Sequence, residues 1–156
     1  MFRELVNELI TLLKTNIPDP NTERANAGEM WIYPDFPETP AKMPRISIVF
    51  VGSSEAEFYA INGGMTLVYP LRYEISAWIR MKQKHVINSE EFAGGKLLDY
   101  LADQIINTIE SNAFSISNVI VGKLAGGGSI TIVEDNTGIM RKPLEFIFYY
   151  QKQAGA

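Results

Sequence analysis

Residues 122–138 read GKLAGGGSITIVEDNTG, and the three glycines Gly126, Gly127 and Gly128 pose the sharpest chemical question in the chain. A glycine run can cradle phosphate. The Walker type needs GxxxxGK[ST] between a strand and a helix, a lysine for the phosphates and a hydroxyl for magnesium. Here the glycines run into Ser129-Ile130-Thr131-Ile132-Val133, an alternating strand. No lysine follows them, and no helix N-terminus stands ready for an anion. The composition predicts instead a flexible connection between two antiparallel strands. Glu134-Asp135-Asn136-Thr137-Gly138 is then the next turn, rich in turn-forming residues.

The other candidates are sparse. His85 is the single histidine, so a metal site or a Ser/His/acid triad has to be built on it. It stands beside lysines in MKQKHVINS and reads as a solvated loop residue. Asp99 and Asp103 lie four apart and share a helix face. Paired carboxylates bind metals or move protons, but no third ligand lies nearby, and the pair falls opposite the apolar stripe. Trp78, Arg80, Lys82 and Lys84 share strand parity, a basic stripe with one aromatic of the kind that contacts nucleic acid. Tyr59, Tyr69, Tyr73 and Trp78 are the residues for a ligand pocket under a sheet, the competing enzyme or small-ligand reading. No catalytic, cofactor-binding or metal-ligating set assembles from these residues, and no cofactor is expected.

The bulk properties agree. At 156 residues, one domain spanning 1–156 is expected, large enough to bury a core without staples. The net charge of −4 gives no electrostatic case for general nucleic-acid binding. The absence of cysteine excludes disulfides and thiolate metal sites. The start MFRELVNELITLLKTN lacks the apolar core and cleavage site of a signal peptide, and no stretch approaches the ~20 apolar residues of a membrane span. The expectation is a soluble, unexported protein with no membrane partner.

The elements that must position these residues follow from periodicity. Phe2, Leu5, Leu9 and Leu12/Leu13 predict an amphipathic helix over 2–15. Six of the eight prolines fall within 16–44, which predicts an irregular loop or arm, interrupted by a short strand near Met30–Tyr33. It either wraps over the surface or orders on a partner. RISIVFVG predicts a strand over 45–52. Residues 55–61 pair with 65–80 through a turn around Asn62-Gly63-Gly64. LRYEISAWIR alternates, with Leu71, Tyr73, Ile75, Ala77 and Ile79 on one face, and Pro70 predicts a bulge or edge at its start. A second helix is predicted over 89–111, capped by Asn88 with Glu91. Strands follow near 114–124, 129–135 and 139–151. No internal repeat is visible. The element order predicts an α+β fold, a mostly antiparallel sheet with two main helices on one face and projecting hairpins.

This layout resembles the tail-terminator and tail-completion (head–tail joining) proteins of long-tailed bacterial and archaeal viruses. The resemblance is carried by MFRELVNELITLLKT, IYPDFPETPAKMPRISIVFVG, LRYEISAWIR, GGKLLDYLADQIINTIESN and the closing KPLEFIFYY. It covers most of the chain as an order of elements. It implies a structural virion protein without catalytic activity, assembled in the host cytoplasm and located in the tail or neck. Such proteins form rings, commonly hexamers, on the end of the tail-tube protein and face the head–tail connector, with nucleic acid only as the passing genome. The family has no signature residues to carry over. From the residues themselves, the contact set expected is Gly126, Gly127, Gly128, Ile130 and Ile132, with the acids Glu134 and Asp135 set against Arg80, Lys82 and Lys84 of the next subunit.

Overall fold

The computed structural model describes residues 1–37, 42–61, 64–134 and 138–153. Helix α1 (Phe2–Asn16) precedes a short helix α2 (Thr22–Asn26) and a two-residue strand β1 (Ile32–Tyr33). Strands β2 (Arg45–Ser53), β3 (Glu57–Ile61) and β4 (Gly64–Arg80) follow. A small hairpin, β5 (His85–Ile87) and β6 (Glu90–Phe92), leads into helix α3 (Gly94–Asn112) and a 3₁₀ turn, Ala113–Ser115. The chain continues through β7 (Val119–Gly127), β8 (Thr131–Glu134) and β9 (Ile139–Gln153). The main sheet has the order β1-β2-β4-β9-β7, with β3 beside β4 and β8 beside β9. Only the β1–β2 pair is parallel. This is the α+β architecture that the element order predicts.

The core lies between the two long helices and one face of the sheet. Leu5, Leu9 and Leu13 of α1 and Leu97, Leu98, Leu101, Ile105 and Ile109 of α3 close over Leu71, Tyr73, Ile75, Ala77 and Ile79 of β4. Phe146 and Phe148 of β9 join them, all fully buried. Burying one such side chain contributes roughly 1.5–3 kcal/mol, which is why the period-2 and period-3.6 stripes dictate which faces meet.

The opposite face is partly covered too. Residues 29–37 and 42–44 lie over the end of β4, where Met43, Trp78 and Ile139 form a second small core. The Trp78 indole N–H donates to Ser47 Oγ at 2.8 Å. The Phe36 ring meets Trp78 edge-on at 5.8 Å, and the Arg141 guanidinium sits 5.1 Å above Trp78. The proline-rich stretch is pinned at its base by Arg24, which is buried, bonds both oxygens of Asp19 at 2.7 and 2.8 Å, and donates to the carbonyls of Lys42 and Pro44.

Two sequence expectations need correction. The second helix starts at Gly94, not at residue 89. Asn88 and Ser89 both have positive φ (51° and 67°) and form the two-residue turn of the β5–β6 hairpin. Asn suits a helix cap and a tight turn equally, and here pairing of His85 with Phe92 decides for the turn. The expected absence of an internal repeat also fails at the level of structure. The chain contains α-β-β-β twice, as α1-β2-β3-β4 and α3-β7-β8-β9.

The correspondence reaches single residues. The two long strands β4 and β9 pair antiparallel from Thr66↔Gln153 to Arg80↔Ile139. Each carries two shorter strands end to end on its outer side. β2 breaks register at Phe50/Gly52, and β7 at Leu124/Gly126. The outer strand then hands over opposite a proline in both halves. Ser54 N–H donates to the Pro70 carbonyl at 3.2 Å, and Gly128 N–H to the Pro143 carbonyl at 2.6 Å. Proline supplies no donor, and a strand residue's N–H and C=O point the same way. Each proline therefore places its missing donor at the break between two outer strands. An approximate twofold axis, normal to the sheet between β4 and β9, relates the halves.

Candidate functional site

The three glycines sit at one of these breaks. Gly126 and Gly127 end β7, Gly128 follows, and β8 begins at Thr131. β7 and β8 both run antiparallel to β9, so they run in the same direction, one after the other. The expected link between two antiparallel strands is thus a kink in one interrupted outer strand. Gly127 (φ +86°) and Gly128 (φ +101°) occupy backbone conformations that L side chains avoid. A Cβ on Gly127 would lie 2.5 Å from the Pro143 carbonyl oxygen. The loop is shaped by this close approach.

Beyond the kink, β8 and the start of β9 project as a corner hairpin. Ile130 reaches α3, with its Cδ1 3.7 Å from where a Gly95 Cβ would stand, and Ile132 is 52% exposed. Glu134 is the last residue of β8, and Asp135 lies outside the described residues. Arg80 is the last residue of β4. Ile139 of β9 faces Glu134 on one side and Arg80 on the other, so acid and base share one row of a single protomer. The common parity expected for Arg80, Lys82 and Lys84 ends with the strand. Lys82 is exposed in the turn beyond it, and Lys84 pairs with Glu91 at 3.4 Å. Trp78 leaves the expected basic stripe altogether, because it is buried under residues 29–37 and 42–44.

The other chemical candidates separate. His85 is buried rather than solvated. Its Nδ1 lies 3.2 Å from the Pro20 carbonyl, and burial pushes its pKa below the ordinary value. Asp99 is tied to Lys142 at 2.7 Å and Asp103 is exposed. Among the described residues no cluster of three or more His, Cys, Asp or Glu could hold a metal ion. Tyr73 and Trp78 point to opposite faces of β4, so no pocket unites them. Clefts lie along α1 and beside His85, lined largely by Thr11, Thr15, Pro20 and Glu23 and their neighbours. No helix among the described residues is long and apolar enough to cross a membrane.

What the sequence reading missed is where the apolar surface goes. Among the described residues most of the large exposed apolar side chains lie towards two opposite edges of the sheet, although Met30, Phe36, Met65 and Val86 are exposed as well. One edge holds Phe2 and Phe50, whose rings lie 4.7 Å apart, with Val51 and Phe58. The other holds Ile120, Val121, Leu124, Ile130 and Ile132, with Phe114 on the adjoining 3₁₀ turn. Burial on this scale left undone usually marks an interaction surface. The signal was present in VIVGKLAGG, whose alternation is imperfect because both its faces carry apolar residues.

No family model matches the chain, and no curated protein does either. Among solved structures, a chain from the virion of a native gene transfer agent (GTA) particle superposes with a TM-score of 0.50. It is 12% identical in sequence, and the match covers 90% of this chain and 92% of that chain. The likeness is one of fold, over nearly the whole of both chains.

Proposed function

We propose that this chain is a structural protein of a virus-like particle, without catalytic activity. More finely, it is a tail-terminator or tail-completion protein. Copies close into a ring, a hexamer by the family resemblance, seat on the end of the tail-tube protein, and present the other face to the head–tail connector in the particle's neck. The observation that carries the reading is the pair of open, apolar edges on a fold shared with a chain of a GTA virion. Two opposite, unlike-placed edges favour head-to-tail association, which closes into a ring when the rotation allows. The projecting hairpins, the β8–β9 corner with Gly126–Gly128 at its root among them, serve as partner contacts. The scattered candidate chemistry supports the non-enzymatic part of the reading.

The test is native mass measurement of the purified chain, alone and with purified tube protein of the same particle, followed by electron microscopy of tube ends. A closed ring in solution, or one seated on the tube, is expected. A strict monomer that never caps tube ends would overturn the proposal.

A further inference from the structure

We infer that the β7–β8 edge of one protomer pairs with the β2–β3 edge of a second copy of this chain, so that one antiparallel sheet runs on across the subunit boundary. This rests on the ring reading above and names the surface that would close the ring.

Strand sense is the first argument. β2 is antiparallel to β4, β4 to β9 and β9 to β7, so β7 runs antiparallel to β2. A neighbour displaced sideways in the plane of the sheet, with no reversal, therefore brings its β2 alongside β7 in antiparallel sense. The second argument is shape. The break of register at Phe50/Gly52 in β2 has its counterpart at Leu124/Gly126 in β7. Both breaks flank the Tyr73–Phe146 rung, so the two edges bend at the same height of the sheet, while the corner hairpins beyond them lie at its opposite ends.

The third argument is how the edges are protected. Natural sheets blunt exposed edges with charges, prolines or covering segments. Here β1 covers the start of β2, at Ile46 and Ser47, and among the described residues no other strand pairs along the outer side of β2. β7 is the last strand of the sheet on its side and carries one charge, Lys123. One of its amides is engaged: Leu124 N–H donates to Glu110 Oε2 at 3.3 Å. That contact is exposed, so Glu110 can give way to a strand. Charge selects the heterologous pairing over β7 with β7. Two β7 strands would bring Lys123 towards its own copy, whereas the β2–β3 edge offers Glu55, exposed just beyond β2.

The chain has no cysteine, which makes the test direct. Val121→Cys on β7 and Val51→Cys on β2 place single thiols on the two edges, at residues 43% and 49% exposed. The two purified variants are mixed at high concentration, alone and with tube protein, and treated with a short bismaleimide. Dimers containing one copy of each variant are expected, several-fold above a Lys82→Cys control mixed in the same way. Leu124→Glu, checked for native folding by circular dichroism, should weaken self-association at least tenfold. Rings seen without mixed cross-links above the control would overturn the edge pairing and leave the ring function standing. Cross-links confined to Val121→Cys alone would establish a β7–β7 dimer and likewise overturn it. A chain that stays monomeric with tube present overturns both.

Discussion

Substituting each of the three glycines by alanine should produce three different outcomes, because their surroundings differ. At Gly126 the backbone is ordinary and a Cβ meets nothing within 4 Å. Gly126→Ala should therefore be neutral or stabilise by about 0.5 kcal/mol, through reduced freedom of the unfolded chain. At Gly128 a Cβ also meets nothing within 4 Å, but φ is +101°. Left-handed strain alone costs about 1–2 kcal/mol. At Gly127 strain at φ +86° adds to a Cβ placed 2.5 Å from the Pro143 oxygen. That oxygen cannot retreat freely, because Pro143 sits in a rung of β9 with Ser76 and accepts the Gly128 N–H. Overpacking of this kind costs about 1–3 kcal/mol, for a total of roughly 2–5 kcal/mol. With a urea slope of about 2 kcal/mol/M, the midpoint of Gly127→Ala should fall by about 1–2.5 M relative to Gly126→Ala. Equilibrium urea unfolding followed by tryptophan fluorescence measures all three. If Gly127→Ala lies within about 0.5 kcal/mol of Gly126→Ala, a difference surface substitutions routinely show, the loop is slack and the argument from the proline contact fails.

Arg24→Ala should destabilise by about 3–5 kcal/mol, because it leaves the buried Asp19 carboxylate without its cation, with the Asn21 N–H still donating to it, and takes this donor from the Lys42 and Pro44 carbonyls; a change under 1 kcal/mol in urea unfolding would contradict this. Tyr73→Phe should be neutral or stabilise by about 1 kcal/mol, since the Tyr73 hydroxyl is buried with no hydrogen-bond partner among the described residues and burial pushes its pKa up to about 12; a loss of stability would overturn this. His85 is held below its ordinary pKa, first by burial, with the Arg24 charge adding to it against the Pro20 carbonyl and Asp19. The unfolded chain therefore takes up this proton first. Its contribution is full above about pH 6.5 and is lost as pH falls from there through the folded value. The drop in thermal midpoint between pH 7 and pH 5 should be smaller in His85→Gln, and an equal drop would reject the assignment.

Much of the fold was legible because burial writes itself into period. The alternation of Leu71 to Ile79 and the stripe of Leu98, Leu101, Ile105 and Ile109 each had one packing solution. The start of α3 was not legible, since Asn88 and Glu91 satisfy a capping pattern that the β5–β6 turn also accepts. Arg80, Lys82 and Lys84 looked like one stripe because parity carries past a strand's end in sequence and not in space. Trp78 looked exposed by its polar neighbours, but Phe36 and Met43, brought over it from a distant stretch of sequence, help bury it. The internal repeat escaped because it is written in backbone events. Its halves share two breaks of register and two prolines, Pro70 and Pro143, while the side chains around them serve different neighbours.

That internal dyad bears on how such an object tells up from down. In the ring proposed above, edge-to-edge closure would set the sheet tangent to the circle, and the dyad would point along a radius and exchange the two rims. One rim would then receive the β3–β4 corner and the other β8–β9, two renderings of one motif. A body of this kind begins almost reversible. Its backbone polarity must come from what has no counterpart in the other half: the residue 17–44 excursion with α2 and β1, and the β5–β6 hairpin inserted before α3. These two insertions meet, for the His85 imidazole of one touches the Pro20 carbonyl of the other. They form a single marker that breaks the symmetry of the backbone, on top of the side chains that already differ between the halves.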